Sequence, residues 1–396
     1  MSSVRARVWR FTVEKGASGA EAVDAVEIGQ GPLPVSLAAL VNINALACDL
    51  RKNVDQRVRD HEISLLLSYI GGSTHGSQPL GVDCAALDSS SGHIKRFVSE
   101  CTGLGVMTAA SESLFNWAPG TDDLSSFDVL PAKLAGIYAK TGVRPDLLYD
   151  LAAGPLAGEA RGRRRNHKKM FPAGKGTPEQ RARLERLAQW SVDHDDHAYF
   201  MSWVWLGAGG VYVDIFLPDG SPAADSLKTG WIDTPGSALP WKFHIPRPVP
   251  RRRPEVVNPE DLRVAMAHTV ETDHAVATSP PEGQVRQALS RAEPLVEAAM
   301  DRSFGREEET LGTVSDVPVR GRWIRSDAVG QARHEVLLGI LGERVPVDHR
   351  AQRNRWSSQT SDRLDLFLEG RLLTVVHPVG SPRPSWDRIR TELLGG

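Results

Sequence analysis

Apolar residues recur with period two at widely separated places in this chain, and this restricts its fold more than any other feature. Val4, Ala6 and Val8, then Phe11 and Val13, give 4–13 the pattern of a strand with one buried face. Gly16–Gly19 supplies a turn, and Ala22–Ile28 returns as the partner strand. His197–Leu206 and Val211–Leu217 flank a glycine-rich turn at Gly207–Gly210, and Leu364–Leu368 and Arg371–Val376 flank Glu369 and Gly370. Both read as β-hairpins. Sheet is therefore required at the beginning, middle and end of the chain.

Helical signals fall between these strands. Leu37, Leu40, Val41 and Ile43 cluster within Pro32–Leu50, and Val106–Phe115 reads as a helix. Glu62–Ile70 fits helix or strand. Thr177, Pro178 and Gln180 form a helix start, followed by a stripe of Leu184, Leu187 and Ala188. Gln284–Met300 and Ala328–Leu341 carry apolar residues at helical spacing, the second through Val329, Ala332, Val336, Leu337 and Ile340. Gly81–Leu87 and His93–Glu100 read as two strands joined at 88–92. The expected fold class is α/β or α+β: a mixed N-terminal sheet with flanking helices, a hairpin-containing middle region and a smaller mixed α/β unit. At about 150 residues per domain, 396 residues make two or three domains. The expected divisions are 1–155, 156–245 packed with it, a Pro/Arg-rich linker at 246–259, and 260–396.

Composition excludes several classes. Forty-seven basic and 49 acidic residues leave a net charge of −2, so this is neither a polycation nor an acidic tail. The cysteines, Cys48, Cys84 and Cys101, form no CxxC pair, which argues against a disulfide framework or zinc ribbon and for a reducing compartment. No leader-like apolar segment and no apolar run long enough to span a bilayer is present. The expectation is a soluble cytoplasmic protein with no membrane partner.

Five groups of residues could carry chemistry. Asp83 and Glu100, at the ends of the two expected strands, could converge on Mg²⁺, which prefers oxygen ligands. That arrangement resembles the core of the PD-(D/E)xK nucleases, and the resemblance implies a metal-dependent cleavage site. The lysine expected two residues after the glutamate is replaced here by Thr102. Gly103 and Gly105 precede a helical run, where backbone NH groups could hold a phosphate. His75 and Cys101 each follow an apolar run, which resembles the His and Cys of caspase-like peptidases, at a shorter spacing than that fold uses. A thiolate at Cys101 would need a cationic or helix-terminal neighbour, and Glu100 opposes this. His194 and His197 lie among Asp193, Asp195 and Asp196 and could ligate a metal, or the acids could simply be solvated at a helix end.

The fifth group is a basic tract. Arg161, Arg163, Arg164, Arg165, Lys168, Lys169 and Lys175 fall within 155–177, where Glu159 is the only acid, and Arg183 and Arg186 extend the surface along the following helix. Arg251–Arg253, and Arg350, Arg353 and Arg355 beside Trp356, supply further positive charge. Such clusters release counterions from nucleic acid and give sequence-independent affinity. The field is local, because residues 1–150 hold 13 basic and 17 acidic side chains. The expected function is phosphate-backbone binding by a nucleic-acid-associated protein. The alternatives are an assembly component that docks a protein partner through its C-terminal amphipathic helices, and a diverged Mg²⁺-dependent nuclease built on Asp83 and Glu100. The terminal Gly395 and Gly396 match the ending of ubiquitin-like modifiers, with no other feature in support.

Overall fold

The fold is that of a computed structural model, which describes residues 2–15, 21–46, 56–71, 78–115, 117, 124–126, 145–151, 154–165, 178–194, 196–207, 210–221, 298, 301, 309–325, 334–345, 347 and 364–394. Its elements in chain order are β1 (Ser2–Lys15), β2 (Glu21–Val35), α1 (Leu37–Leu46), α2 (Gln56–Tyr69), β3 (Ile70–Gly71), β4 (Gln78–Pro79), β5 (Gly81–Val82), α3 (Cys84–Ser89), α4 (Gly92–Phe115), β6 (Leu124–Ser126), β7 (Leu147–Leu151), β8 (Gly154–Arg164), α5 (Pro178–Val192), β9 (Tyr199–Gly207), β10 (Gly210–Pro218), β11 (Glu309–Val314), β12 (Val317–Arg325), β13 (His334–Leu341), β14 (Asp365–Glu369), β15 (Leu372–Pro378) and α6 (Trp386–Leu394). The class is α+β.

Two sheets face each other across a layer of helices. The larger runs in the order β2-β1-β10-β9-β8-β7-β6, with β4 beside β1, and the smaller runs β11-β12-β13-β15-β14. One core joins them: Val4, Val8, Val204 and Val213 of the large sheet, Leu40, Val41, Leu66 and Val106 of the helices, and Val336, Leu338 and Phe367 of the small sheet. α1 is apolar around its circumference apart from Asn42 and Asn44, as suits a helix packed between two sheets. The buried Asn42 donates Nδ2 to the Leu372 carbonyl at 2.7 Å and to Thr374 Oγ1 at 3.0 Å, while its Oδ1 has no hydrogen-bond partner among the described residues. Asp365 of β14 caps its N-terminus by accepting from Ser36 Oγ at 2.6 Å and from the Leu37 NH at 2.9 Å, where an anion also favours the helix dipole. The outer face of the large sheet is covered by α5 through Leu184, Leu187 and Trp190, and that of the small sheet by α6 through Ile389 and Leu393.

The three expected hairpins are present: β1 with β2, β9 with β10, and β14 with β15. Ser315 (φ 47°) and Asp316 (φ 66°) close β11 on β12, the positive φ pair that a two-residue type I′ turn requires. Glu62–Ile70 resolves as helix, the end of α2, apart from Ile70 in β3. The start of the expected Pro32–Leu50 helix instead completes β2, and the helix begins at Leu37.

Two expectations are overturned. The segments 81–87 and 93–100 are not a strand pair: only Gly81–Val82 is extended, and the rest forms α3 and the first turns of α4. Ile94, Phe97, Val98, Cys101 and Leu104 all pack on the core, and their spacing of three and four is helical. Ala328–Leu341 is not an amphipathic helix, because 334–341 form β13, buried at every position between β12 and β15. A strand buried on both faces loses its alternation, so an apolar run there imitates helical spacing. This removes one of the two helices on which partner docking was argued. The other, Gln284–Met300, lies outside the described residues except for Ala298, and the linker at 246–259 lies wholly outside them.

Gly103 and Gly105 also have a different role from the one expected. They lie inside α4, far from its N-terminus. A Cβ on Gly105 would fall 2.5 Å from Leu40 Cγ, and one on Gly103 would fall 3.0 Å from the backbone N of Gly162. These glycines let α4 pass close to α1 and β8 and do not form a phosphate loop.

Candidate functional site

The basic tract begins as a strand. β8 is an interior strand, antiparallel to β7 and parallel to β9, and its side chains alternate between the two faces. Ala160, Gly162 and Arg164 face the helix layer. Arg164 is pinned there by Asp88, donating Nε to Oδ1 at 2.8 Å and Nη2 to Oδ2 at 2.6 Å. Glu159, Arg161, Arg163 and the following Arg165 face the side that carries α5.

On that side, register aligns the residues in rows across four strands. Arg161, Trp203, Asp214 and Arg7 lie in one row, and Arg163, Trp205, Tyr212 and Arg5 in the next. In the first row every arginine has a buried acidic partner. Asp214, 1% exposed, accepts from Arg7 Nε at 2.8 Å, Trp9 Nε1 at 3.0 Å, Trp205 Nε1 at 2.9 Å and Gln180 Nε2 at 3.4 Å. Arg7 Nη2 adds a contact at 2.6 Å to the same carboxylate. Glu159, fully buried, holds Arg161 at 2.5 Å and Arg183 of α5 at 2.5 Å.

The second row is not balanced. Among the described residues Arg5, Arg163 and Arg165 have no carboxylate in salt-bridge contact. Arg5 and Arg163 are exposed. Arg163 stacks 5.5 Å over the Trp203 ring and Arg165 5.0 Å over Trp205, as Arg7 does 4.9 Å over Trp9. Stacking fixes each guanidinium plane; Arg163 also donates Nη1 to the Gly162 carbonyl at 3.0 Å, which leaves its other NH groups for a ligand. Partial burial and the neighbouring Arg161 charge lower the Arg163 pKa, against Glu100 and Glu179. Three buried polar atoms on this face have no hydrogen-bond partner among the described residues: Glu159 Oε2, Trp203 Nε1 and Arg165 Nη1.

Glu159 and His197 are both strongly shifted. Burial, with the Asp146 carboxylate, pushes Glu159 up to about 8 against the pull of Arg161 and Arg183. Burial pushes His197 down to about 4, aided by His194 and opposed by its bond to the Ala198 carbonyl. The two shifts act on stability in opposite directions of pH, over windows that overlap between about 4.5 and 6.5. Folded His197 refuses a proton that the unfolded chain accepts, so stability falls as pH drops from about 6.5 to about 4. Folded Glu159 keeps a proton that the unfolded chain releases, so stability falls as pH rises from about 4.5 to about 8. Thermal midpoints across this range should decline on both limbs, with Glu159→Gln flattening the alkaline limb and His197→Asn the acidic one. Limbs unchanged by these variants would contradict the assignment.

The other candidate residues are engaged elsewhere. Asp83 caps α3 by accepting from the Ala86 NH at 3.0 Å, and Glu100 sits on α4, paired with Arg96 at 2.9 Å. They lie on separate helices, so the adjacent strand ends that a nuclease-like Mg²⁺ pair requires do not exist. Cys101 lies within α4, not at a helix start, and its carbonyl accepts from Asn44. The rings of His194 and His197 pack on Trp190 at 4.7 and 5.1 Å. No group of three metal-ligating side chains occurs among the described residues. Arg186 is exposed on α5, while His75, Lys168, Lys169, Lys175 and 349–356 lie outside the described residues. No helix among the described residues is long and apolar enough to cross a membrane.

Sequence reasoning did not select Arg5, Arg7, Trp9, Trp203, Trp205, Tyr212 or Asp214. Their signal is the same period of two: Arg5, Arg7 and Trp9 alternate on β1, and Trp203 and Trp205 on β9. Asp214 is an acid inside the apolar run 211–217, a position that demands buried partners. Comparison with known proteins gives no match to any family, to any curated protein or to any solved structure.

Proposed function

We propose that this chain binds nucleic-acid phosphate backbones through arginines on the outer face of the large sheet that have no acidic partner among the described residues: Arg5, Arg163 and Arg165. The observation that carries this reading is the contrast between adjacent rows. Arg7 is neutralised by the buried Asp214 carboxylate and Arg161 is paired with the buried Glu159, whereas Arg163 and Arg165 are held on indole rings with no counter-ion among the described residues. A guanidinium fixed in this way has already lost much of its rotamer freedom, so less entropy remains to be lost on binding. Its planar fork matches phosphate oxygens in bidentate geometry. Arg186 extends the positive surface along α5. Nothing in this arrangement reads base edges, so the expected affinity is independent of sequence.

The test is fluorescence anisotropy of labelled nucleic acid over a salt series, with the full chain and with the triple variant Arg5→Gln, Arg163→Gln, Arg165→Gln. Each phosphate contact contributes roughly one unit to the slope of log affinity against log salt. The triple variant should therefore lose about three units of slope and bind at least about tenfold more weakly near physiological salt. Equal binding by the two proteins, or none by the wild type at low salt, would overturn the proposal.

A further inference from the structure

Resting on that phosphate-binding reading, we infer that the partner is a duplex, held across one groove, and not a single strand. Two observations point this way. The first is the state of the aromatic rings. Proteins that bind single strands offer open aromatic faces on which bases stack. Here Trp9, Trp203 and Trp205 are 6%, 3% and 7% exposed, and each has a guanidinium over its face. Tyr212, between Trp205 and Arg5 in the row, is 5% exposed. None of these four rings is available to an unstacked base, so among the described residues the face offers cations without a stacking platform. A ligand suited to it presents phosphates and keeps its bases paired inside.

The second observation is the spacing of the cations. Arg163 and Arg5 belong to the same row but to strands separated by β9 and β10. Three strand intervals place their Cα atoms roughly 14 Å apart. That span is comparable with the major groove of B-form DNA, about 12 Å across. Arg163 and Arg165 would contact the backbone on one side of a groove and Arg5 the backbone on the other. The adjacent row of Arg161, Trp203, Asp214 and Arg7 flanks this line of cations on the same sheet face. Binding across a groove needs both ends of the row, whereas a single strand could follow β8 alone and ignore Arg5.

The experiment compares duplex and single-stranded DNA of equal length, and the corresponding RNAs, with wild-type chain, Arg5→Gln and Arg163→Gln. Thermal midpoints check that each variant is folded, and both positions are exposed enough for this to hold. The duplex should bind at least about tenfold more tightly than the single strand, a difference of about 1.4 kcal/mol. Arg5→Gln and Arg163→Gln should each lower duplex affinity several-fold. Single strands binding as tightly as duplexes, or duplex binding insensitive to Arg5→Gln while Arg163→Gln weakens it, would overturn the duplex inference and leave the phosphate reading standing. Absence of binding to every probe would remove both.

Discussion

Replacing Asp214 with Ala is expected to lower stability by about 3–5 kcal/mol, the cost of leaving a buried cation without its anion. The carboxylate is 1% exposed and accepts from Arg7, Trp9, Trp205 and Gln180, which come from β1, β9 and α5. Without it, Arg7 keeps its charge on a face where it has little access to water, and two indole NH groups lose their acceptor. Asp214→Asn should fall between Ala and wild type, since the amide oxygen still accepts but the countercharge is gone. Urea unfolding monitored by tryptophan fluorescence measures this directly. A loss below about 1 kcal/mol for Asp214→Ala would show that the network is not what holds the outer face together.

The second large effect concerns a glycine. A Cβ on Gly162 would lie 1.6 Å from the Ser99 carbonyl oxygen and 2.2 Å from its carbon, both backbone atoms of α4. Neither can rotate away, so Gly162→Ala must push α4 off β8. Overpacking of this kind costs about 3 kcal/mol or more. The control is Gly92→Ala in the first turn of the same helix, where an added Cβ meets nothing within 4 Å. There the substitution should be neutral or stabilising by up to about 1 kcal/mol, because alanine is the better helix former. Similar melting points for the two variants would contradict this account of the α4–β8 contact.

Much of the fold was legible wherever one face of a strand is buried and the other is not. Val4, Ala6 and Val8 face the helices while Arg5 and Arg7 face outward, and that alternation places β1 from sequence alone. Legibility failed where burial is two-sided, as in β13. It failed again at 93–100, where Ile94 and Phe97 fit a short strand until Cys101 and Leu104 extend the helical spacing. Gly103 and Gly105 resembled a phosphate loop because close packing and phosphate approach both demand the absence of a Cβ.

The candidate site was only partly legible, for a physical reason. The sequence displays the cluster at Arg161–Arg165, but the consequence of each charge depends on partners remote in the chain. Arg164 meets Asp88 from 76 positions away, and Arg7 meets Asp214 from 207 positions away. Only pairing of β8 with β9, and of β10 with β1, reveals which arginines have acidic partners. Within the cluster, strand alternation sends Arg164 to one face and Arg163 and Arg165 to the other. A tract that reads as one basic surface thus separates into cations that brace the fold and cations available to a ligand.

That separation is the central claim, and one measurement tests it most directly: the thermal midpoint and the salt dependence of duplex binding, read side by side for Arg7→Gln and Arg163→Gln. Arg7→Gln should lower the midpoint clearly and leave the salt slope of the remaining folded protein unchanged. Arg163→Gln should leave the midpoint near that of the wild type and reduce the slope by about one unit. Equal effects of the two variants on both readouts, or the reverse assignment, would contradict the division of this sheet face into structural and ligand-binding arginines.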